Sequence, residues 1–96
     1  MIDKASALDT VLHRMKKIPP GSGLDLQTYK RDRSVVILRK DADNFFVVAD
    51  GFSKESFSED FKGLKKLLKK MLKREFPRSN KIRVYHVIMD DFKQYF

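Results

Sequence analysis

Residues 58–77 read SEDFKGLKKLLKKMLKREFP, and the rest of the fold can be worked out from this stretch. Phe61, Leu64, Leu67, Leu68, Met71, Leu72 and Phe76 recur at three- and four-residue spacing, the period of an α-helix with one buried stripe. At 100° per residue the apolar positions cover roughly 140° of the wheel, and Lys62, Lys65, Lys66, Lys69, Lys70, Lys73 and Arg74 occupy the remainder. Ser58 or Asp60 can cap the start, and Pro77 ends the helix. A helix with so continuous an apolar stripe needs a flat apolar surface to cover, and the flanking sequence provides one.

Upstream the period changes to two. Leu24, Leu26 and Thr28 alternate with Asp25, Gln27 and Tyr29 as a first strand. Lys30 to Arg33 forms a charged connection to a second, β-rich strand from Ser34 to Lys40. Asp41 to Asn44 has the short polar side chains of a turn, Phe45 to Ala49 reads as a third strand, and Asp50-Gly51 bends the chain. Residues 52–58 fit a short fourth strand or a loop, and the strand is preferred. Downstream, Lys81 to Ile88 is a closing strand, with Ile82, Val84, His86 and Ile88 on one side and Arg83, Tyr85 and Val87 on the other.

Ahead of the sheet, residues 3–18 read as an amphipathic helix with Ala5, Leu8, Val11, Leu12, Met15 and Ile18 on its apolar side. Asp3 suits its N-cap, and Arg14, Lys16 and Lys17 suit its C-terminal end. Residues 19–23, PPGSG, read as a linker, so this helix either docks on the domain formed by residues 24–96 or stands apart as an arm. The expected architecture is α+β: an N-terminal helix, an antiparallel meander of three or four strands, a long basic amphipathic helix packed on one sheet face, and a closing strand. Antiparallel strands followed by a helix across the sheet is similar, in element order, to the small nucleic-acid-binding domains of the PUR-alpha kind. A helix before the sheet and a strand after the second helix depart from that order.

Ninety-six residues suffice for one core. The absence of cysteine excludes disulfides, thiolate metal sites and a cysteine nucleophile, and it fits a reducing, cytoplasmic setting. No run of 18 apolar residues is present to span a membrane. The net charge of +8 is unevenly placed. Between Lys62 and Arg83 lie ten Lys or Arg residues and one acid, Glu75, while the remainder holds eleven basic and twelve acidic residues.

That asymmetry carries the functional expectation. A face that only keeps a helix in solution mixes Lys with Glu, because opposite charges at i,i+4 stabilise by about 0.2–0.5 kcal/mol a pair. Here Lys62–Lys66, Lys65–Lys69, Lys66–Lys70, Lys69–Lys73 and Lys70–Arg74 are all like-signed. Together they cost roughly 1–2 kcal/mol unless counter-charge arrives, from an anionic partner or from Asp41, Asp43, Asp90 or Asp91. The expected function is non-enzymatic nucleic-acid binding through Lys62, Lys65, Lys66, Lys69, Lys70, Lys73 and Arg74, continued by Arg78, Lys81 and Arg83. Lysine acts as a point charge, so little base specificity is expected. Without a groove-reading module, RNA or single-stranded DNA is preferred over duplex. Tyr29 and Tyr85, each beside cations, are candidates for stacking on bases.

The alternative partner is an acidic protein. Docking of the basic helix on a membrane or in a partner's groove is a lesser alternative, since it needs the apolar stripe free and in a compact 96-residue domain that stripe is the obvious cover for the sheet. A small basic ribonuclease would draw on Arg78, Arg83, Tyr85 and His86, but alternation sends Tyr85 and His86 to opposite faces. His13 and His86 read as structural residues, and no spacing implies a metal or cofactor. Asp41-Ala42-Asp43-Asn44 resembles the start of a calcium loop but lacks the glycine and the distal acid that such a loop needs.

Overall fold

In the computed structural model, residues 2–28, 33–50, 55–76 and 81–90 are described. They form an α+β fold of two helices and a six-stranded antiparallel sheet. In chain order the elements are β1 (Ile2–Asp3), α1 (Lys4–Lys17), β2 (Ser22–Gln27), β3 (Ser34–Arg39), β4 (Phe45–Asp50), β5 (Glu55–Glu59), α2 (Phe61–Glu75) and β6 (Lys81–Ile88). The sheet order is β1-β6-β2-β3-β4-β5. β2 to β5 make the expected meander, while β6 returns to lie between β1 and β2.

Three details depart from the sequence reading. A two-residue strand precedes α1 and pairs with β6, Ile2 opposite Ile82. Asp3 stands at the N-cap position of α1 without a side-chain capping bond, and its carboxylate pairs instead with Lys81. β2 begins at Ser22, so the last two residues of the supposed linker are strand. Gly21, at φ +90°, makes the turn into β2, a backbone conformation that glycine adopts without strain. Its N–H bonds the Arg39 carbonyl at 2.8 Å, and its own carbonyl accepts from Met89 N at 2.7 Å.

One buried cluster joins Ala7, Val11, Leu12, Met15 and Ile18 of the α1 region, Leu64, Leu68, Met71, Leu72 and Phe76 of the α2 region, and the strand residues Leu24, Leu26, Val35, Ile37, Phe45, Val47, Ala49 and Ile82. Alternation sends the intervening residues to the other sheet face, where Val36, Leu38, Phe46 and Val48 form a second buried cluster with Val87 and Met89 beside it. β3 and β4 are therefore apolar on both faces, which is why VVIL and FFVV run unbroken instead of alternating with polar residues. No helix among the described residues is long and apolar enough to cross a membrane.

Candidate functional site

The start of α2 is built from acids. Asp60 caps it, accepting Gly63 N at 2.7 Å, and Asp43 Oδ1, in the turn after β3, accepts Phe61 N at 3.4 Å. Glu59 packs against the bare backbone of Gly63, where any Cβ would collide with its carboxylate. Negative groups here oppose the positive end of the helix dipole. The Asp41–Asn44 segment is a turn, as expected: Asn44 Nδ2 donates to both Asp41 oxygens at 2.8 Å, and Lys40 N donates to the Asn44 carbonyl at 2.8 Å. The Asn44 amide, followed by the Asp43 N–H, holds the Asp41 carboxyl below the usual aspartate range.

Beyond that acidic start, Lys62, Lys65, Lys66, Lys69, Lys70 and Lys73 are all exposed. No carboxylate among the described residues pairs with any of them. At 1.5 Å per residue the six ammonium stems span roughly 17 Å of helix axis. Two of the candidate intramolecular counter-charges are engaged elsewhere, Asp41 by the Asn44 amide and Asp43 by Phe61 N. Asp91 lies outside the described residues.

The other cations expected to extend this track are placed differently. Arg74 is half-buried and pairs with Glu55 Oε2 at 2.8 Å, tying the last turn of α2 to β5. Lys81, exposed, pairs with Asp3 and fastens β1 to β6. Arg83 is half-buried on β6, opposite Gln27, and alternation from buried Ile82 puts it on the sheet face turned away from the helices. Tyr85, 38% exposed, shares that face opposite Asp25, whereas His86 lies on the helix side opposite Leu24, so the two do not converge as a ribonuclease pair. Tyr29 and Arg78 fall outside the described residues. Among the described residues the compact cationic feature is the lysine face of α2.

Two features escaped the sequence reading. Arg39 ends β3 and gathers carbonyls from two elements: its Nη1 donates to Ile18 O at 2.8 Å and Lys16 O at 3.0 Å, and its Nη2 to Ala42 O at 2.8 Å. A guanidinium there satisfies the orphan acceptors at the end of α1 and meets the negative end of its dipole. Lys16 Nζ lies 4.9 Å from the Phe61 ring centroid, so the end of α1 adjoins the start of α2. The second feature is Asp25, half-buried on the face away from the helices. Gln27 Nε2 donates to its Oδ2 at 2.8 Å, but buried Oδ1 has no partner, and desolvation raises the carboxyl above its usual range against the opposing effect of Gln27.

Among the described residues no group of His, Asp and Glu is arranged to hold a metal ion. No family model matches the chain, and neither a curated protein nor a solved structure matches it.

Proposed function

We propose that this protein is a non-enzymatic nucleic-acid-binding domain that holds the phosphate backbone of RNA or single-stranded DNA along the outer face of α2. The observation that carries this reading is the set of six exposed lysines without a carboxylate partner among the described residues. Their mutual repulsion is the condition that bound phosphates relieve, with release of condensed counterions as the driving force. In this reading α2 lies along the sheet with its apolar stripe inward. Arg74, committed to Glu55, sets the helix on β5 while the lysines make the contacts.

The test is fluorescence anisotropy with labelled single-stranded RNA, single-stranded DNA and duplex DNA. Six phosphate contacts to a single strand give a log–log salt slope of about −4 between roughly 50 and 200 mM. Micromolar or tighter binding with that slope is expected, with the single strands ahead of duplex. No binding to any probe at the lower salt overturns the reading and turns the search to an acidic protein.

A further inference from the structure

The sheet has two edges, and they are unequal. β1 offers two residues, too few to template another strand, whereas β5 offers five, ESFSE, with only β4 paired to it among the described residues. Ser56 and Ser58 are exposed, and Phe57 is half-buried on the helix side, beside Leu67, Lys70 and Met71 in a shallow groove between β5 and α2. Charge changes sign along this edge. At its start, Arg74 and Lys70 stand with Glu55. At its end stand Glu59 and Asp60. A strand added parallel from a second copy would set cationic end on cationic end. Antiparallel addition sets each cationic start against an acidic finish.

We infer that β5 is a homodimerisation edge, pairing antiparallel with β5 of a second copy about a twofold axis at Phe57. That register puts Phe57 opposite Phe57, Ser56 opposite Ser58, and Glu55 opposite Glu59 of the second copy. Each end then holds two carboxylates, Glu55 and the other copy's Glu59, against Arg74 and Lys70 on the same rim. The like-charge opposition that destabilises a strand pair is thus offset at both ends by cations already in place. The central aromatic pair adds a cross-strand contact of the favourable kind. A twofold arrangement closes on itself, so the edge is used up in a dimer and does not propagate into a fibre. The two sheets become one, with both α2 helices on the same side. This inference does not depend on what the lysines bind.

Because the chain has no cysteine, introduced thiols report the register without interference. Residues directly opposed in an antiparallel pair have Cα atoms about 4.5–5.5 Å apart, within the range a disulfide spans. The full chain, freed of nucleic acid, is tested as Phe57→Cys. Separately, a mixture of Ser56→Cys and Ser58→Cys molecules is tested, both positions being exposed and tolerant of change. Under mild oxidation Phe57→Cys and the mixture form covalent dimers, while Ser6→Cys, on the exposed start of α1, forms them at least about tenfold more slowly. Lys70→Glu or Glu59→Lys alone slows cross-linking of the mixture about tenfold, and the two reversals together restore it. Sedimentation of the unmodified chain shows a mass rising from 11.3 kDa towards twice that value with concentration. A mass that stays monomeric to about 300 µM, with cross-linking at 56–58 no faster than at Ser6, overturns the dimer. Cross-linking that the double reversal fails to restore overturns the charge-matched antiparallel register.

Discussion

Helices α1 and α2 are nearly equal in length, at 14 and 15 residues, and both send buried side chains into one cluster, yet their outer faces are organised differently. On α1 the exposed positions mix Ser6, Asp9, His13, Arg14, Lys16 and Lys17, and the cations gather in the last turns, where a helix dipole favours them. On α2 lysines run from the first turn to the last, so those near the start oppose the dipole as well as one another. The acids at its N-terminus, Asp60, Asp43 and Glu59, are engaged with the helix start. Folding requirements account for the charges of α1. They do not account for those of α2, which is why the proposed function is localised to one helix of a structurally matched pair.

The largest expected effect tests that localisation directly. Reversing Lys65, Lys66, Lys69 and Lys70 to Glu lowers affinity for single-stranded RNA by more than about 100-fold at low salt and leaves the circular dichroism spectrum unchanged. Reversing Arg14, Lys16 and Lys17 changes it by less than about fivefold, because those cations lie off the track. Equal losses would show that net charge alone attracts the ligand and would dissolve the contrast between the helices.

A smaller effect compares how the two helices are anchored. Arg39→Gln strips the end of α1 of a charge-assisted donor to several carbonyls and is expected to cost about 2 kcal/mol of stability. Asp60→Ala removes one capping bond from α2 and costs about 1 kcal/mol. Urea denaturation of both variants checks the order; a larger loss at Asp60 would make α2 the more dependent on its end.

The smallest effect lies on the sheet face that neither helix covers. Asp25 has its carboxyl raised in the folded state, so ionisation disfavours the fold at any pH above that raised value, and the penalty vanishes once pH falls below the unfolded value near 4. Asp25→Asn therefore melts a few degrees above the parent protein at pH 7, and the gap closes as pH falls through the aspartate range, as thermal denaturation across pH would show. RNA affinity should be the same in both. A change there would bring the opposite face, with Tyr85 and Arg83, into the binding surface.

Much of this was legible in local periodicity. The 3.6-residue repeat of Leu64, Leu68, Met71 and Leu72 found α2, and Asp60 marked its start. Alternation found β2 and both sides of β6, and short β-rich apolar runs bounded by turn residues found β3 and β4. What stayed hidden was non-local. A two-residue strand has no period, and the insertion of β6 beside β2 depends on contacts across some sixty residues of chain. Arg39 looked like an ordinary strand-end cation because its carbonyl partners at Lys16 and Ile18 precede it by 23 and 21 residues. For the lysine face, exposure follows from the wheel. The departure of Arg74 does not, since it turns on Glu55 at the far side of the α2 start. Arg83 is instructive in another way: the alternation that sent Tyr85 and His86 to opposite faces already put Arg83 on the Tyr85 side, away from the face that Ile82 buries against the helices.

The position of β6 also governs how the chain can reach its native state. The last strand in sequence stands between the first two in space. Until residue 88 has left the ribosome, β2 lacks one neighbour, β1 has none, and Ile82 is missing from the cluster beneath α1. The meander and α2 can assemble as they emerge, but the N-terminal helix has no finished floor to settle on. Long-range closure of this kind is slow and comes late. The core is thus completed late in folding, when β6 enters between β1 and β2.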